Sequence, residues 1–134
     1  MNKFYITTPL YYVNDEPHIG HAYTTILADV LNRYYTSIDY DTFFLTGTDE
    51  HGQKVQEAAN KNNIDPKKHV DKVVQRFKEV WDNLNIKYNY FIRTTDKQHI
   101  QIVQKILNVL DEYEDCRLSE PGEFTKIAFY NNKV

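Results

Sequence analysis

Two strand-length apolar segments separated by a single helix-length segment constrain this chain more than any other feature. Lys3-Phe4-Tyr5-Ile6-Thr7 alternates polar and apolar residues and is rich in β-formers, so it reads as a strand that ends at Pro9. From Gly20 to Tyr35, the residues Ala22, Ile26, Val30 and Tyr34 recur every fourth position with Leu27 and Leu31 beside them. That spacing predicts a helix that lays this stripe on a sheet. Thr42-Phe43-Phe44-Leu45-Thr46, bounded by Asp41 and Gly47, suits a buried parallel strand. Strand, helix and strand in this order make a right-handed crossover, the seed of a doubly wound α/β sheet whose ligands sit beyond the carboxyl ends of the strands.

Beyond this unit, Asp65-Pro66 supplies an N-cap and an N1 proline to a helix whose inward face is Val70, Val73, Val74, Phe77, Val80, Trp81 and Leu84. Tyr90-Phe91-Ile92 reads as a third short strand, and Thr95 or Asp96 opens a last helix with Ile100, Val103, Leu107 and Leu110 inward. After Cys116 the pattern dissolves into a Pro121-Gly122 turn, a short strand over Ile127-Ala128-Phe129-Tyr130 and a loose end.

The 134 residues, 41% hydrophobic and 26% charged, suffice for one globular domain. No apolar run approaches the roughly 18 residues needed to span a bilayer, and the Met-Asn-Lys start has no signal-peptide core, so the expectation is a cytoplasmic protein without a membrane partner. A formal net charge of -3 argues against nucleic-acid binding by bulk electrostatics, and phosphate contacts have to be local. Cys116 is the single cysteine, which excludes an internal disulfide and the paired thiolates of a structural zinc site.

Three segments carry side chains suited to chemistry. His18-Ile19-Gly20-His21 stands where the first strand-end loop becomes a helix, so free N–H groups and the helix dipole favour an anion there, and two imidazoles add directional donors. A helix-capping histidine fits the same residues. A metal pair fits less well, because Asp15 and Glu16 are loop residues rather than a third ligand on a fixed face. Thr46-Gly47-Thr48-Asp49-Glu50-His51-Gly52-Gln53-Lys54 lies at the end of the second strand. It fits either a carboxylate that holds a small ammonium or an ordinary helix start capped by Thr48 or Asp49. Thr7-Thr8-Pro9-Leu10-Tyr11-Tyr12-Val13-Asn14 fits the floor of an apolar pocket or a loop folded onto the core.

Together these segments resemble the class I aminoacyl-tRNA synthetases, whose first signature has the form His-Ile-Gly-His between the first strand and its helix. More narrowly, Tyr5 to Asn14 followed by Pro17 to Thr25 resembles the methionyl-tRNA synthetase family, as do Phe44 to Lys54 and Phe91-Ile92-Arg93-Thr94-Thr95. The resemblance implies a partial Rossmann-like α/β fold with a parallel sheet and flanking helices. It also implies activation of methionine by ATP to methionyl-adenylate, and transfer of the acyl group to tRNA in the complete enzyme. His18 and His21 are then the catalytic residues. Asn14, His18, Gly20 and His21 bind ATP, with Mg2+ expected alongside it, and Pro9, Leu10, Tyr12 and Asp49 contact methionine.

The resemblance divides the chain into residues 1–117, the amino-terminal half of a class I catalytic domain, and a divergent tail, 118–134, expected to be disordered. The second class I signature, Lys-Met-Ser-Lys-Ser, does not occur in this sequence, nor do the cysteine pairs of the family's zinc-bearing insert. The expectation is an incomplete catalytic unit that exposes an apolar sheet edge and self-associates or takes a complementing fragment. Two alternatives remain: a non-catalytic fragment that binds ATP, methionine or a partner chain, and a small nucleotidyltransferase with the same histidine signature.

Overall fold

A computed structural model describes residues 1–113, 117 and 119–123. By its internal contacts the chain divides into two units, Met1–His99 and Ile100–Val134. In chain order the elements are β1 (Lys3–Thr7), β2 (Tyr11–Tyr12), α1 (Ile19–Ser37), β3 (Asp41–Asp49), α2 (Gln53–Lys61), α3 (Pro66–Asn83), β4 (Tyr90–Arg93) and α4 (Lys97–Asp111).

The first unit is built on β3. On one side β3 pairs in parallel with β1, Tyr5 opposite Phe43, and further along with β2, Tyr12 opposite Asp49. On the other side it pairs in parallel with β4, Gly47 opposite Ile92. The predicted parallel sheet and its third strand are present. The second strand is longer than its apolar run, because Thr46 and Thr48 are buried and find partners for their hydroxyls within the fold. The core gathers Phe44 and Phe91 from the sheet, Tyr11 and Val13 from the loop that follows β1, and the α3 stripe Val70, Val73, Val74, Phe77 and Trp81. Asp65 caps α3 by accepting a hydrogen bond from Lys68 N at 3.2 Å, with Pro66 at N1, as the sequence predicts. Leu84 is the one residue of the predicted stripe left exposed.

On α1 the predicted face is wrong. Thr25, Ala28, Asp29 and Asn32 are buried, whereas Ile26, Leu27, Val30, Leu31 and Tyr34 are exposed and only Ala22 of the predicted stripe touches the core. Hydrogen bonds decide the orientation. Tyr11 Oη lies 2.9 Å from Thr25 Oγ1, Asp29 Oδ1 accepts from Lys87 N at 2.7 Å, and Asn32 Nδ2 donates to Lys87 O at 3.3 Å. The polar side of α1 thus clamps the α3–β4 connection, and among the described residues only Asn32 Oδ1 is buried there without a partner.

The α4 stripe differs as well, since no residue of this helix is buried and Ile100, Val103, Leu107 and Leu110 are all exposed. Among the described residues of the second unit there is no buried apolar side chain against which it could pack. Pro121 and Gly122 form the expected turn, and the strand expected over 127–130 lies outside the described residues.

Candidate active site

The histidine turn is organised by its own backbone. His18 is the N-cap of α1, extended at φ -124° and ψ 176°, and its Nδ1 accepts a hydrogen bond from Gly20 N at 3.1 Å. In return His18 N donates to Nδ1 of His21 at 3.2 Å, which closes a capping box built from two imidazoles. Both Nδ1 atoms are therefore acceptors, and each neutral ring carries its proton on Nε2, where it is free to donate. The rings stack with centroids 3.8 Å apart. A side chain at position 20 would press on this arrangement, because a Cβ there would lie 3.0 Å from His18 Cε1. His21 is half-buried against Tyr11 and Phe77, with centroids 4.8 and 5.2 Å away, and His18 is exposed. Burial first, and the neighbouring His18 second, lower the His21 pKa below its ordinary value, which favours the neutral Nε2–H form. Capping and anion binding, alternatives in the sequence, are compatible here because they use different nitrogens.

Asp49 ends β3 beside Tyr12. Its Oδ1 accepts from His51 N at 3.3 Å and from Thr94 Oγ1 at 3.4 Å. The next residue, Glu50, has a fully buried side chain and accepts from Thr48 Oγ1 at 2.8 Å, Arg93 Nε at 2.6 Å and Thr95 Oγ1. Arg93 also reaches Asp71 Oδ1 at 2.6 Å, so one guanidinium joins the ends of β3 and β4 to α3. These bonds, that to Glu50 above all, raise the Arg93 pKa further above its ordinary value, and the Arg93 hydrogen bond lowers that of Asp71. Neither Thr48 nor Asp49 caps α2. With β3 extended to Asp49, the cap falls to Gly52 at φ 113°, a conformation that disfavours residues with a Cβ.

Tyr12 and Asn14 line a cleft of ≈ 510 Å³ with His51, Gly52, Gln53, Lys54, Val55 and Glu57. Pro9, exposed, and Leu10, half-buried, occupy the β1–β2 connection and do not line this cleft.

The family model for tRNA synthetases class I (M) matches residues 4–124. The chain belongs to the class I methionyl-tRNA synthetase family. It is similar to the methionine–tRNA ligase of Thermotoga maritima, 55% identical over 113 residues that make up 84% of this chain and 18% of that protein. The Helicobacter pylori methionine–tRNA ligase is 52% identical over 115 residues, 86% of this chain and 18% of its own length. Among solved structures, Mycobacterium tuberculosis methionyl-tRNA synthetase in complex with methionyl-adenylate superposes with a TM-score of 0.81 at 37% identity, covering 83% of this chain and 22% of that one. The chain thus spans about a fifth of the length of these relatives. The family decides between the synthetase and nucleotidyltransferase readings, and the neighbour identifies the sheet as that of a Rossmann-like synthetase domain.

Several residues of this synthetase segment escaped the sequence reading. Thr94 and Arg93 lie in a segment quoted for its resemblance, yet their partners are more than forty positions away, at Asp49 and Glu50. His69 is buried on α3, where its Nε2 lies 3.1 Å from Val13 O and ties down the loop that carries Tyr12 and Asn14. Only a polar residue inside the apolar period of α3 signals it.

Proposed function

We propose that this segment supplies the amino-acid and phosphate-binding part of a methionine-activating site. The observation that carries the reading is the imidazole capping box, which uses both Nδ1 atoms and leaves the two Nε2 atoms at the amino end of a helix without a partner among the described residues. In the complete enzyme a methionine carboxylate oxygen attacks the α-phosphorus of ATP, and the bond to the bridging oxygen breaks to release pyrophosphate. His18 and His21 donate to phosphate oxygens as negative charge builds on them, a type of contact worth about 3 kcal/mol of barrier when preorganised. Gly20 keeps the first turn open to the nucleotide, and Asn14 contributes an amide from the facing loop. Asp49 receives the methionine ammonium, with Tyr12, Leu10 and Pro9 around the side chain. The donors proposed for the phosphates are N–H groups, which hold no cation, so any Mg2+ would enter with ATP and would supply screening of the phosphate charge. The methionyl group of the adenylate then passes to the terminal ribose of tRNA, as suits a protein of the cytoplasmic translation apparatus.

Taken alone, this chain is a ligand-binding part that holds methionine and ATP without turnover. Isothermal titration with each ligand, beside methionine-dependent exchange of labelled pyrophosphate into ATP, tests the reading. Saturable binding without exchange is the expected pair of results. A folded chain that binds neither ligand overturns it, and exchange above background shows a self-sufficient enzyme instead.

The exposed face of α1 supports a second reading, that the chain self-associates or receives a complementing segment. Tyr23, Ile26, Leu27, Val30, Leu31 and Tyr34 are all at least 39% exposed, and across the sheet Tyr5 stacks on Phe43 in the open with centroids 6.0 Å apart. Light scattering after size exclusion is expected to show a species heavier than 15.9 kDa, and a compact monomer at high concentration removes this reading.

A further inference from the structure

Asp49 is gripped by one carboxylate oxygen only. Oδ1 takes the hydrogen bonds from His51 N and Thr94 Oγ1, while among the described residues Oδ2 has no protein partner. The polarity of the Thr94 hydroxyl is fixed as well. It accepts from Glu50 N at 2.8 Å, so its single hydrogen is left for Asp49.

Thr94 is itself immobilised. It is 8% exposed, and its N–H donates to Thr48 O at 3.2 Å. Both its neighbours, Arg93 and Thr95, hold the buried Glu50, and its carbonyl oxygen lies 3.4 Å from His51 Nε2. The triplets Asp49-Glu50-His51 and Arg93-Thr94-Thr95 are therefore laced residue by residue. A carboxylate with one oxygen held at 3.3 and 3.4 Å by groups that are themselves fixed has its rotation restricted before any ligand arrives.

We propose that Thr94 is a positioning residue for amino-acid binding. Its hydroxyl, with the His51 amide, turns Asp49 so that Oδ2 is presented to the substrate ammonium. The inference rests on the reading of Asp49 as the ammonium-binding group. It assigns a role to a residue that never touches the substrate.

The test compares the chain with its Thr94→Val, Thr94→Ser and Asp49→Asn variants. The readouts are binding of methionine, of its des-amino analogue 4-(methylthio)butanoate, and of ATP. Thermal melting controls for folding. Thr94→Val is expected to weaken methionine binding about fivefold and Asp49→Asn about tenfold, with the des-amino analogue and ATP bound as by the parent. Thr94→Ser, which keeps the hydroxyl, is expected to bind methionine as the parent does. A merely structural role would weaken both amino acid and analogue, and that result overturns the proposal. So does a Thr94→Val variant that binds methionine normally while Asp49→Asn does not. If Asp49→Asn binds normally, or the parent binds no methionine, the reading of Asp49 itself falls and takes the inference with it. Thr94→Cys, similar in volume but a weaker donor, replaces the valine variant if that one does not fold, with the same outcomes read.

Discussion

The N–H of His18 donates to Nδ1 of His21 across 3.2 Å, so each signature histidine spends one nitrogen on the helix and keeps the other for a ligand. The two roles separate by substitution. His18→Ala removes the cap and is expected to destabilise the chain by about 1 kcal/mol, whereas His18→Asn restores a capping acceptor and with it most of the stability. Both variants lack the Nε2–H donor, so both should bind ATP more weakly than the parent. Thermal melting and ATP titration of the two side by side check this, and equal melting temperatures would refute the capping role.

The same turn makes stability depend on pH with a definite sign. The folded-state pKa of His21 lies below its ordinary value of 6.5, so the unfolded chain binds more protons between the two values. Stability therefore rises with pH through that window and is fully present above pH 6.5. Urea melts at successive pH values should show the midpoint climbing to this plateau. His21→Gln should flatten the climb.

Gly47 allows the central strand to approach β4. A Cβ at this position would lie 2.0 Å from the carbonyl oxygen of Ile92 and 2.6 Å from its Cγ2. Gly47→Ala must push backbone from backbone, and a loss of about 3 kcal/mol or more is expected, enough to unfold a marginal domain. Circular dichroism melting decides, and a variant as stable as the parent contradicts the close approach.

Glu50 anchors the loop that carries Asp49. Its fully buried carboxylate meets Arg93, and Glu50→Ala leaves that guanidinium short of its main partner at an expected cost of about 3 to 5 kcal/mol. Asp71 adds a dependence on acid. The Arg93 hydrogen bond lowers its pKa below the ordinary 3.8, so its contribution is present above that pH and lost as pH falls through the lowered value. Denaturant titration of Asp71→Asn, compared with the parent at pH 3 and pH 7, is expected to show the larger difference at the higher value.

The sequence disclosed what local chemistry determines. Asp65-Pro66 announces α3, the period of Val70 to Trp81 faces the core as read, and His18 stands at a helix start as its spacing with His21 suggests. The face of α1 was illegible for a physical reason. Its apolar stripe is the longer one, but Asp29 and Asn32 find partners at Lys87, more than fifty residues on, and those bonds turn the helix. Asp49 was legible as a carboxylate at a strand end. Which of its oxygens is free was not, because Thr94 arrives from another strand.

Trp81 is the only tryptophan of the chain and has no exposed surface. Among the described residues its indole N–H has no hydrogen-bond partner, and its ring lies 6.0 Å from Tyr11 and 5.8 Å from Phe77, the two rings that flank His21. The protein therefore carries a built-in fluorophore, emitting in the blue from dry surroundings one ring away from the histidine turn. Its emission reports on that turn with no label attached.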